Sequence, residues 1–271
     1  MLDGRFVNMP LAIEGKAAAR LLAAGRAEAL FGDPPANARE ERGFDVISGV
    51  ACIGIMGILM PRLGTLRPWG SFATGYDGIR ANFMAALADE AVRAIVLDVD
   101  SPGGAVDDLF DLVDAIYQAR GTKPIVAIVS GAAYSAAYAL ASAADFITVA
   151  RTGGTGSIGV ITAIADISRA LDKQGVEVHF VTFGRDKAAE TRAALTGVTK
   201  DVLQSVQRDV DMIGELFVAT VARNRAIEAG DVRAQEANCF LGDLGVAAGL
   251  ADRVLAPADA FAALVADLDA A

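Results

Sequence analysis

Histidine is all but missing from this chain: among 271 residues there is one, His179. A Ser-His-Asp constellation therefore has a single candidate base. A structural zinc site lacks ligands as well, because two cysteines and one histidine fall short of the usual four. Those cysteines, Cys52 and Cys239, stand far apart in the sequence and read as thiols of a reducing compartment, the cytoplasm, rather than as a disulfide framework. Cationic residues are short too: 24 Lys and Arg against 34 Asp and Glu give a net charge of −10. With no basic surplus to neutralise phosphates, nucleic acid is excluded as a partner. The N-terminus has no charged start followed by an apolar stretch, so it does not read as a secretory signal. Two uncharged runs fail as membrane spans. Residues 46–61 are too short, and residues 124–144 open with Pro124 and hold Ser130, Gly131, Tyr134 and Ser135 at their centre. A soluble chain without a membrane span is expected.

What the sequence does have is small aliphatic residues. The hydrophobic share is 54% while aromatics are only 6%, and the mean hydropathy is +0.41. Ala, Val, Ile and Gly in this proportion suit buried parallel strands and closely packed helices. Residues 94–100 (AIVLDVD), 124–130 (PIVAIVS) and 146–150 (FITVA) are continuous apolar runs, read as buried strands. Residues 44–60, 158–165 and 176–183 (VEVHFVTF) are expected to be strands as well. Helical spacing marks residues 11–31, 71–89, 106–120, 134–144, 198–228 and 241–250. Strands alternating with helices imply an α/β fold with parallel pairing and right-handed crossovers. Residues 32–42 (GDPPANAREER) are polar and carry prolines, as a linker would. The expected organisation is an N-terminal helical segment and linker at 1–43, one main domain at 44–256 and a helical tail at 257–271.

Two glycine-bearing junctions carry the candidate chemistry. The first is D-S-P-G-G, residues 100–104, expected to be a loop at a strand's end whose free amides, including that of Gly104, could hold an oxyanion. The second is S-G-A-A-Y-S-A-A, residues 130–137, again between a strand and a helix. It places Ser135 near a helix start among small neighbours, with the Ala136 N–H able to face the same pocket. Each alone reads equally as a turn or a helix cap. A nucleophilic serine needs a base. His179 lies mid-run in VEVHFV, and lysines are few: Lys16, Lys123, Lys173, Lys187 and Lys200. A lysine serves when burial lowers its pKa. Lys187 follows the 176–183 run, and both bases stay open at this level.

Taken together, D-S-P-G-G, S-G-x-A-x-S-x-A-Y, the A-A-D of residues 143–145, T-G-S-I-G-V at 155–160 and G-L-A-D-x-V at 249–254 resemble signal peptide peptidase A and related phage head-maturation proteases. The resemblance spans roughly residues 49–254. It implies a crotonase/Clp-protease-like fold of repeated ββα units and a serine endopeptidase of the Ser-Lys type. By position, Ser135 matches the nucleophile and Lys187 the general base. Gly104 and Ala136 match the oxyanion hole, and Ser157 the residue that orients the lysine. The family often has a proline five residues after this lysine, where the chain has Arg192. No metal or organic cofactor is implied. Polypeptide substrates are, with scaffold, capsid or portal proteins in the phage setting, as is a homo-oligomer. A soluble bacterial signal peptide peptidase is the alternative setting. From other classes, a crotonase-like acyl-CoA hydratase or isomerase and a non-catalytic assembly protein share the scaffold.

Overall fold

The computed structural model describes residues 10–17, 43–68, 72–184 and 186–271. The expected N-terminal helix and linker of residues 18–42 lie outside the described residues.

One sheet organises the chain. Its main path runs β10 (Arg253–Val254), β7 (Phe146–Val149), β6 (Ile125–Tyr134), β5 (Ala94–Ala105), β3 (Val50–Met60) and β2 (Asp45–Ile47). From β10 to β3 the neighbours are parallel, while β2 folds back on β3 as an antiparallel hairpin. The central strands are buried on both faces, which is why they read as continuous apolar runs rather than alternating ones. Side-chain alternation still assigns the faces. Ile95, Leu97, Val99, Ile125, Ala127 and Val129 meet one core, with helices α1 (Tyr76–Ala88), α2 (Leu109–Gln118), α3 (Ala136–Ser142) and α6 (Lys200–Arg225) over it. Ala94, Val96, Val126 and Ile128 meet a smaller core covered by α9 (Pro257–Ala270) through Ala260, Phe261 and Leu264.

The long strands bend part-way. Register shifts fall between Met56 and Ile58 on β3 and between Val99 and Ser101 on β5. Such bulges add twist and re-aim the chain. Beyond them the strands take new partners: β4 (Ala73–Gly75) on β3, β1 (Leu11–Ile13) on β5, and β8 (Gly154–Gly156) on β6, with β9 (Cys239–Leu241) outside β8. The result is an α/β fold in which β3, β5 and β6 each take a further partner strand beyond the bend.

Four sequence expectations are corrected. D-S-P-G-G is not a loop: β5 continues through it to Ala105, because bare backbone at its glycines admits β3 on one side and β1 on the other. Leu11–Ile13 is a strand rather than helix. Residues 176–183 alternate as a strand would, but no strand among the described residues receives them and the segment is irregular. Among the described residues, 158–165 contribute one bridge, Leu11 to Ile161, rather than a strand. The remaining helices are α4 (Ser168–Lys173), α5 (Ala189–Thr196), α7 (Ala229–Ala234) and α8 (Asp243–Ala247).

Candidate active site

Ser135 stands where β6 ends and α3 begins, with φ 53° and ψ −119°. A non-glycine residue at positive φ is uncommon, and such strain persists only where the surroundings enforce it. Here they do. The Ser135 N–H donates to the Gly156 carbonyl at 2.8 Å, its own carbonyl accepts from Ala139 at 2.9 Å, and the residue is wholly buried. The sharp turn aims the side chain at the loop after β8, where Oγ–H donates to the Gly159 carbonyl at 3.3 Å.

Every residue of α3 is buried, and all but Tyr138, Leu140 and Ser142 are alanine, so the helix can sit close under the sheet. Ala136 is its first residue. An N–H at that position has no intrahelical acceptor and faces outward at the positive end of the helix. The bare Cα of Gly103, at φ +102°, packs against this amide: a methyl there would come to 3.1 Å from the Ala136 nitrogen and collide with the Ala12 carbonyl oxygen. Gly104 is closed on its other side, since a methyl would strike the Leu59 backbone. Glycine at 103 and 104 is thus a condition of bringing β1, β3, β5 and the start of α3 together.

Residues that the sequence reading did not single out hold this corner. Ser101, fully buried, donates to the Gly57 carbonyl at 2.6 Å and accepts from the Gly103 N–H at 3.1 Å. The Asp100 carboxylate accepts from the Ala132 N–H at 3.0 Å, tying the two glycine junctions together. Their signal lay in the same D-S-P-G-G motif, but as struts rather than as a loop.

Ser157, at φ 55° and nearly buried, donates its N–H to the Asn238 carbonyl at 2.8 Å, and its side chain hydrogen-bonds the Cys239 thiol. Loss of solvent and the Glu14 carboxylate push that thiol's pKa up, which the Ser157 bond and Lys16 partly oppose. Burial, then Cys239 and Glu14, likewise raise the Tyr134 phenol. Lys187 lies apart, exposed on the turn before α5, with its carbonyl accepting from Arg192 at 3.0 Å. Among the described residues no hydrogen bond or ion pair joins its side chain to Ser135. His179 is exposed too, 3.5 Å from Glu177. The structure therefore brings Ser135, Ala136, Gly103 and Gly104 to one corner, with Ser157 on the loop beside it, and leaves both candidate bases at the surface of the single chain. Among the described residues no cluster of three or more His, Cys, Asp and Glu is arranged to hold a metal.

Residues 118–270 match Peptidase family S49, a span of more than half the chain. The chain belongs to that family. A second match, to Clp protease, covers residues 74–153 and agrees with the sheet described above. Two curated relatives are from phages. The chain is 35% identical over 231 residues to the head-tail preconnector protein GP5 of Enterobacteria phage P21, covering 85% of this chain and 46% of that protein. It is 35% identical over 242 residues to capsid assembly protease C of Escherichia phage lambda, covering 89% and 54%. The chain thus spans about half the length of the curated relatives it matches. An enoyl-CoA hydratase/isomerase family protein from Silicibacter pomeroyi superposes with a TM-score of 0.48 at 17% identity, over 84% of this chain and 82% of that one.

Proposed function

We propose that this S49 member is a serine endopeptidase in which Ser135 attacks the peptide carbonyl and Lys187 serves as general base. The observation that carries the reading is the forced backbone of Ser135 beside the free first amide of α3. A tetrahedral oxyanion needs two donors aimed at one point, and we assign the Ala136 and Gly104 amides to that role. In the reaction the Ser135 Oγ bonds to the carbonyl carbon while its proton passes to neutral Lys187. The lysine then protonates the departing amine, and water hydrolyses the acyl-serine ester. Ser157 is the residue assigned to orient the lysine.

An exposed lysine is a poor base, since only desolvation or a nearby cation lowers its pKa toward neutrality. The reading therefore requires the 176–188 segment to be covered in the working enzyme. Val181 and Phe183 are fully exposed on that segment, which supports a homo-oligomer in which another copy covers it. The names of the phage relatives, a head-tail preconnector protein and a capsid assembly protease, support polypeptides of capsid assembly as the substrate class.

The test is hydrolysis of an unstructured protein such as casein by wild type, Ser135→Ala and Lys187→Ala, from about pH 6 to 10. Loss in both variants, with a wild-type rate that rises with pH, is expected. Full activity of Lys187→Ala would remove the lysine from the mechanism.

A further inference from the structure

Strand β1 occupies an unusual place. β6 pairs with β5 up to Ser101 and Ala133, then stops at Tyr134 as the chain turns into Ser135. From Gly103 onward the edge of β5 that β6 has left is taken by Leu11–Ile13, running antiparallel. On its far side β1 meets the loop after β8: the Leu11 N–H donates to the Ile161 carbonyl at 2.7 Å, and the Leu11 carbonyl accepts from the Ile161 N–H at 2.8 Å. The segment fills a slot one strand wide, walled by β5 and Ile161, at the point where the Ser135 hydroxyl emerges beside Gly159. All three of its residues are buried.

The ladder fixes which atoms face the catalytic corner. Glu14 N–H donates to the Pro102 carbonyl at 2.8 Å. In an antiparallel ladder hydrogen-bonded pairs alternate, so Ala12 with Gly104, two steps along, is a bonded pair. The Ala12 carbonyl oxygen is therefore directed at the Gly104 amide, one of the two proposed oxyanion donors. The same oxygen lies over the bare Cα of Gly103, against which the Ala136 nitrogen, the other donor, also packs. After Ile13 the chain leaves at once: the Glu14 carboxylate accepts from the Lys16 and Ala17 amides, at 2.9 and 3.0 Å, and starts a new turn.

We infer that Leu11–Ile13 is an internal occupant of the substrate-strand site, with the Ala12–Ile13 peptide bond held in the place of the bond to be cut. This rests on the Ser135 reading above and deepens it in two ways. The site takes an extended peptide through backbone pairing on both edges, with a small residue at Ala12's position, where the side chain is wholly buried. The chain also regulates itself, because an outside peptide must displace β1. Its apparent affinity is reduced by the fraction of molecules in which the slot is open.

A binding experiment isolates the occupancy from the chemistry. In a Ser135→Ala background, a fluorescein-labelled peptide of sequence Pro-Leu-Ala-Ile-Glu is titrated into the parent and into Leu11→Asp, which places a carboxylate in an apolar slot. The expected result is at least a tenfold gain in affinity for the variant, on the order of the shift a mostly closed slot imposes. With Ser135 restored, Leu11→Asp should cut the same peptide between Ala and Ile, read by mass spectrometry. Binding gained without cutting keeps the occupancy and removes the nucleophile assignment. Equal binding by a folded Leu11→Asp overturns the occupancy and leaves Ser135 untouched. If Leu11→Asp does not fold, Ala12→Pro, which deletes the Ala12 N–H donor without adding charge, takes its place under the same criteria.

Discussion

At the scale of the residue, Ser135 separates stability from function. Its φ of 53° with ψ −119° suits glycine, and holding serine there costs about 1–3 kcal/mol. Ser135→Gly should therefore melt no lower than wild type, and higher where strain outweighs the extra freedom of the unfolded chain, while hydrolysis is lost. Thermal denaturation beside the casein assay checks this, and a clear drop in melting temperature would contradict the strain argument. Gly103→Ala is the opposite case. At φ +102° a side chain is strained whatever the space, and its methyl meets Ala12 and Ala136. Activity and stability should fall together, by about 1–3 kcal/mol for the backbone conformation alone.

At the scale of the element, α3 is held from behind by Arg120. Its guanidinium donates to the carbonyls of Ala143 at 2.9 Å, Ser142 at 2.9 Å, Ala144 at 2.6 Å and Asn224 at 3.0 Å. Ser142, Ala143 and Ala144 are at or just past the end of α3, and Asn224 is in the last turn of α6, where carbonyls lack intrahelical donors. Arg120→Met keeps the apolar stem but strands these carbonyls, and should cost about 3 kcal/mol in denaturant unfolding. A loss under about 1 kcal/mol would mean that other groups satisfy them.

Elements also show what sequence can and cannot say. AIVLDVD and PIVAIVS were legible because a strand buried on both faces must be apolar throughout. VEVHFVTF has the alternation of a strand, yet alternation records only a preference for pairing, and no strand among the described residues receives it. Leu11–Ile13 was illegible for the complementary reason: three residues carry no period, and their partners lie at Gly103–Ala105 and Ile161. The small residues around Ser135 marked a tight junction, but not that D-S-P-G-G would run on as strand, since glycine signals close approach as well as turns. The side chains of Ser101 and Asp100 act through contacts that only the folded sheet creates.

At the scale of the whole molecule, the 176–188 segment is the unfinished part. Val181 and Phe183 expose all of their apolar surface while Lys187 stands in water beside them. Burying such residues is worth roughly 1.5–3 kcal/mol each, so an assembly that covers the segment gains stability and desolvates the lysine in one step. Phe183→Asp should lower the oligomer's mass in light scattering and reduce hydrolysis in parallel. A monomeric wild type with full activity would contradict the assembly argument.

The central claim, that Ser135 is the nucleophile of a peptidase, is tested most directly by trapping the acyl-enzyme. A peptide ester with alanine at the cleavage position is mixed with the protein and quenched in acid, and the digested protein is mapped by mass spectrometry. The acyl mass is expected on the fragment that carries Ser135 and not in Ser135→Ala, with turnover abolished in the variant. Turnover with no adduct at Ser135, or a Ser135→Ala protein that still hydrolyses the ester, would contradict it.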